Sequence, residues 1–207
     1  MITVIGNLKG GIGKSTVTFN LAVKLSLNGK SVQLIDLDPQ ATLSDVIDIR
    51  TEDEHEPKLS VDSDLSKLDN SGSYDEIIID VGTAAIDTLY TAIQMADRIL
   101  VPVPPSQADI WSTQRFLQII KDLETKDSLR VFGFVNRADT HRGIRETDET
   151  EDALRMLPGI ELIESRLYQR TTYRRSFSEG LAVFELEPKG KAAAEVHKFS
   201  LIAYPEL

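Results

Sequence analysis

Short, almost wholly apolar runs alternate along the chain with longer amphipathic stretches, and the two periods assign the elements. The runs ITVIG (2–6), SVQLIDL (31–37), EIIID (76–80), RILVPV (98–103), RVFGFVN (130–136) and IELIES (160–165) read as strands. Several lack the apolar–polar alternation of a half-exposed strand, so they are expected to be buried on both faces. Helical periodicity falls between them, over 14–27, about 86–96, 108–125, 145–156, about 169–178 and 189–203, with Asn28-Gly29 as a stop signal for the first. Strand and helix in regular alternation predict an α/β fold: a doubly wound, mostly parallel sheet flanked by helices on both faces. The acidic, polar segment from about 50 to 75 carries the weakest structural signal, and no internal repeat or long linker is visible.

Composition narrows the possibilities. At 207 residues the chain is long enough to bury one good core, so a single domain spanning 1–207 is expected. No apolar run approaches the ~18 residues of a membrane helix, and Met1 leads straight into a strand without a secretory signal pattern, so a cytoplasmic protein is expected. The chain has no cysteine, which excludes disulfides, thiolate metal sites and iron–sulfur clusters. A formal charge of -10 argues against coating nucleic acid by bulk attraction, so any DNA contact must use a local basic patch.

The candidate chemistry begins at GNLKGGIGKST (6–16), which joins the first strand to the first helix. This is the strand, glycine loop, helix order of a P-loop, in which backbone N–H groups and a helix N-terminus converge on phosphate oxygens. Gly10, Gly11, Ile12, Gly13, Lys14, Ser15 and Thr16 are the expected nucleotide-binding residues, with Lys14 on the β- and γ-phosphates and the Ser15 hydroxyl toward Mg²⁺. The first glycine of the ordinary P-loop pattern is replaced by Leu8, and an additional lysine, Lys9, is present. Read alone, Lys9 is equally a solvated loop residue.

KGGIGKST resembles the deviant Walker A motif of the ParA/MinD family of ATPases. That resemblance implies ATP and Mg²⁺ as ligands and a nucleotide-sandwich homodimer, with Lys9 reaching phosphates held by the other subunit. Further resemblance runs through most of the chain. In DLDPQATL, Asp36 and Asp38 point the same way at the end of the second strand. The family places a water-orienting aspartate at Asp38, which leaves Asp36 to support the Mg²⁺ surroundings. IIIDVG reads as a Walker B element whose Asp80 holds Mg²⁺ and whose Gly82 leaves room near the γ-phosphate. The Pro-Pro pair common in the family after this aspartate is missing, which leaves the switch II segment 82–85 open. A capping turn and a strand-end aspartate are the plain structural alternatives for these two motifs.

VPVPPSQADIW (101–111) resembles the family segment that leads into an interface helix, with Asp109 near its start. FVNRAD places Asn136 and Arg137 where the family contacts adenine. The compact length resembles the small, ParF-like ParA type. Family behaviour then implies non-specific DNA binding in the ATP state, association with the nucleoid, and a ParB-like or other cargo adaptor that stimulates slow hydrolysis. The basic run RLYQRTTYRRS supplies the DNA candidates Arg166, Arg170, Arg174 and Arg175, three of them four residues apart on one face if the helix extends far enough. A solvated, carboxylate-paired face is the alternative. The tail AAAEVHKFSLIAYPEL lacks a strongly basic amphipathic face, so no membrane attachment is expected. An ATP-gated protein scaffold and a metabolic ATP-dependent ligase remain alternative functions.

Overall fold

The structure, a computed structural model, describes residues 1–69, 72–84, 86–141 and 143–205. Its centre is a sheet of strands β1 (Ile2–Ile5), β2 (Val32–Asp36), β3 (Val61–Asp62), β4 (Glu76–Asp80), β5 (Arg98–Val103), β6 (Arg130–Ala138), β7 (Glu161–Leu162) and β8 (Leu167–Tyr168). The order is β3-β2-β4-β1-β5-β6-β7, with β8 also on β6, and each of these pairings is parallel. Every residue of β2, β4 and β5 is buried, as expected of mostly apolar strands covered on both faces.

Helices cover both faces. Helices α1 (Lys14–Leu27), α2 (Thr42–Glu52), α6 (Thr171–Ser178), α7 (Val183–Leu186) and α8 (Lys191–Ala203) contribute to one apolar core, around Phe19, Leu43, Phe134 and Phe199. Helices α3 (Ile86–Met95), α4 (Gln107–Asp122) and α5 (Glu146–Met156) contribute to the other, around Val4, Ile79, Ile93 and Phe116. Burying one phenylalanine or leucine side chain stabilises by roughly 1.5–3 kcal/mol. No helix among the described residues is long and apolar enough to cross a membrane.

Three expectations change. Helix α2 and strand β3 occupy part of the stretch between 38 and 75 that periodicity left unassigned. The start of α2 is capped from a distance: Asp36 on β2 accepts hydrogen bonds from the Ser44 backbone and hydroxyl at 2.9 and 3.0 Å. Local capping rules see only the residues just before a helix, where Ala41 has φ 51 and no side-chain cap. Second, the strand expected over 160–165 shrinks to the two residues of β7, and a further two-residue strand, β8, follows it. Third, α6 begins only at Thr171, so Arg166 lies in a loop and Arg170 is the cap residue. The four-residue spacing of Arg166, Arg170 and Arg174 therefore does not place them on one helical face.

Candidate functional site

Sheet register assembles the site. Asp80 at the end of β4 lies beside Ile5 of β1 on one side and beside Asp36 of β2 on the other, so the two acidic strand ends are neighbours and Asp80 adjoins the strand that enters the glycine loop. Gly11 and Gly13 adopt φ values of 70° and 92°, which side chains rarely take, and Gly13 is the N-cap of α1. The loop therefore delivers its N–H groups and the positive end of a 14-residue helix to one point.

The two loop lysines part company here. Lys14 is buried, and its ammonium donates to the Lys9 carbonyl at 3.0 Å across the loop. Burial lowers its pKa, while Asp80 and Asp38 pull it back up. The Lys9 side chain is 39% exposed and forms an ion pair with Asp109 at 3.0 Å. Asp109 sits in the first turn of α4, tied to the cap residue Ser106 through both its backbone N–H and its carboxylate. On the same helix Trp111 is 55% exposed.

Asp80 has no accessible surface, and neither carboxylate oxygen has a hydrogen-bond partner among the described residues. Burial pushes it up to about 7; Ser15 and Lys14 oppose that rise, and Asp36 and Asp38 add to it. A buried anion without donors is costly unless a cation is supplied. Ser15 at the start of α1 and the orphaned Asp80 oxygens are thus a donor set that fits Mg²⁺ brought with a nucleotide. Asp36, expected near the metal, has both oxygens engaged, Oδ2 on Ser44 and Oδ1 on the Asp38 N–H at 3.0 Å. Its contacts hold the segment that carries Asp38.

Asp38 in turn accepts from the Gln40 N–H at 3.0 Å. Gly82 packs directly on it: a Cβ at 82 would lie 2.7 Å from the Asp38 carboxyl carbon and 2.8 Å from its Cα. The room that Gly82 leaves is taken by Asp38, so the two switch segments touch. The expected switch II segment ends at Ala85, outside the described residues.

A cavity of about 300 Å³ opens beside Gly13 and Thr16, bounded by Asn136 and Arg137 and by Tyr168, Tyr173 and Phe177. The aromatic walls suit a planar base. Of the arginines considered for DNA, Arg166 pairs with Asp148 and Glu151, Arg170 with Glu195, and Arg175 with Glu187. Arg174 is exposed, lines the rim of this cavity and has no ion pair among the described residues.

Sequence reasoning missed the tie between the two halves of the site. Arg50 of α2, 1% exposed, makes a two-pronged ion pair with Glu185 of α7 and donates to the carbonyls of Glu56, Pro57 and Gly180. Asn20 of α1 accepts from the Val183 N–H at 3.0 Å. Partners 135 and 163 residues apart leave no local signal.

Known proteins resemble this chain in sequence and in fold. Over 200 residues the chain is 28% identical to the maintenance of carboxysome distribution protein A of Halothiobacillus neapolitanus, covering 92% of this chain and 90% of that one. Its fold is similar to that of a putative plasmid partition protein from Borrelia burgdorferi bound to AMPPNP, with TM-score 0.78, 19% identity and coverage of 100% and 99%. It is also similar to the septum site-determining protein MinD complexed with Mg-ADP from Pyrococcus horikoshii, with TM-score 0.76, 21% identity and coverage of 98% and 95%. The profile of the CobQ/CobB/MinD/ParA nucleotide binding domain matches residues 3–183, and the chain belongs to that family.

Proposed function

We propose that this protein is an ATP-dependent dimerising switch of the ParA type, which positions or partitions a large cargo under the control of a partner protein. The observation that carries the reading is the division of labour between the two lysines. Lys14 fills its own phosphate site, whereas Lys9 is part-exposed and turned to an ion pair with the buried Asp109. A triphosphate in a second copy offers Lys9 more negative charge than Asp109 does, so closure of two copies depends on the nucleotide.

In the closed dimer Lys14 and the loop N–H groups grip the β- and γ-phosphates, and Asp38 orients the attacking water and accepts its proton. Mg²⁺, held by Ser15 and Asp80, would neutralise charge on the phosphates. Hydrolysis removes the γ-phosphate that Lys9 answers, and the dimer loosens. The similarity to a carboxysome distribution protein and to plasmid partition proteins supports a cargo-positioning role. The ATP-bound dimer binds DNA without sequence preference, with Arg174 free to contact phosphate and Arg166, Arg170 and Arg175 exchanging carboxylates for phosphates.

Those existing ion pairs favour a second reading, an ATP-gated scaffold without DNA binding. Retention on DNA with ATP, ADP and no nucleotide at several salt concentrations separates the two. The dimer itself is tested by light scattering with Mg²⁺ and a non-hydrolysable ATP analogue. A dimer that is lost in Lys9→Ala supports the reading, and a monomer at saturating analogue defeats it.

A further inference from the structure

The end of β6 reaches the phosphate loop from behind. Asn136 donates through Nδ2 to the Ile12 carbonyl at 2.7 Å, and the next residue, Arg137, donates through Nη1 to the Gly11 carbonyl. Two consecutive side chains thus engage two consecutive loop carbonyls. In a planar trans peptide the C=O and N–H bonds point in opposite directions. Holding the Gly11 and Ile12 carbonyls outward therefore turns the Ile12 and Gly13 N–H groups inward, the arrangement that makes an anion nest.

The backbone is arranged to allow this. Arg137 has φ 56, a left-handed conformation that an arginine adopts at an energetic cost. It sits where the pairing of β6 with β8 shifts register, Asn136 facing Leu167 and Ala138 facing Tyr168. Such an irregularity re-aims the side chain of the additional residue, and strain of this kind persists where surrounding contacts impose it. Arg137 is exposed and has no carboxylate partner among the described residues, so its charge is not held elsewhere. Asn136 is buried, and Gly13 accommodates it: a Cβ at 13 would lie 2.8 Å from Asn136 Nδ2.

We propose that Asn136 and Arg137 form a donor clamp that pre-forms the phosphate nest. They are positioning residues that act through the Gly11 and Ile12 carbonyls. The assignment rests on the nucleotide-binding reading above. It is tested by measuring the affinity of the full chain for Mg-ATP by calorimetry, and for magnesium tripolyphosphate by competition with a fluorescent ATP analogue. Arg137→Met weakens both ligands by a similar factor, about tenfold. The loss persists at about 0.5 M salt, where simple charge attraction is screened, and Arg137→Lys, still a donor, recovers most of it. Arg137→Gly, which relieves the left-handed strain, melts no lower than the unaltered chain yet binds both ligands as weakly as Arg137→Met. A loss confined to Mg-ATP would assign Arg137 to the base and overturn the clamp, as would a loss that vanishes at high salt. If the unaltered chain binds neither ligand, the nucleotide reading fails first, a result distinct from any pattern among the variants.

Discussion

Asp80 is a fully buried carboxyl at the centre of the candidate site. Its carboxyl titrates near 7 in the folded chain against an ordinary value of 3.8. Between those values the native state holds a proton that the unfolded chain has released, so stability falls as pH rises and is lowest above about 7. About three units at 1.36 kcal/mol each put the full penalty on the order of 4 kcal/mol. Asp80→Asn keeps the shape and removes the charge. Linkage over the interval from pH 5.5 to 8 gives about 2 kcal/mol of pH-dependent loss that the unaltered chain suffers and the variant does not. The lower pH stays clear of the pI near 4.8, where solubility falls. Equilibrium urea unfolding in EDTA without nucleotide measures this double difference, in which the intrinsic cost of the buried amide and the titration of distant groups cancel. If the two proteins change in parallel, within about 0.5 kcal/mol, Asp80 is not an uncompensated buried anion, and its fit to Mg²⁺ loses its physical basis. With Mg-ATP present the order reverses, because only the unaltered chain gains the stabilisation of ligand binding.

Other outcomes follow from the same geometry. Arg50→Leu leaves the Glu185 carboxylate and buried carbonyls without their donor and should cost about 3–5 kcal/mol, read from urea unfolding. Gly82→Ala places a methyl within 2.8 Å of Asp38 and should cut ATP turnover at least tenfold while nucleotide affinity changes little; unchanged turnover would separate Asp38 from the chemistry. Asp109→Asn removes the ion pair that holds Lys9, so light scattering should show dimer at lower ATP concentration. A dimer weaker than that of the unaltered chain would mean that Asp109 serves the closed state.

Much of this protein is written locally. Unbroken apolar runs specify strands covered on both faces, and KGGIGKST specifies a phosphate loop, because glycine tolerance of positive φ and a helix N-terminus follow from neighbouring residues alone. Asp36 and Asp80 were legible as candidates because each lies at the end of a strand, and Asp38 because the family resemblance marks its position. Their division of roles was not, since it depends on which atoms the fold supplies: Ser44 and the Asp38 N–H occupy Asp36, whereas burial dominates at Asp80, with Ser15 and Lys14 nearby. Helix α2 escaped notice because its start is capped by a neighbouring strand. The arginine run looked like one basic face until the extended segment before Thr171 and the carboxylates of α5, α8 and the segment after α7 divided it. Sequence determines which chemistry is available within a few residues. Tertiary structure decides which side chains remain unpaired, because burial and partnership are set by groups that the fold brings in from other elements.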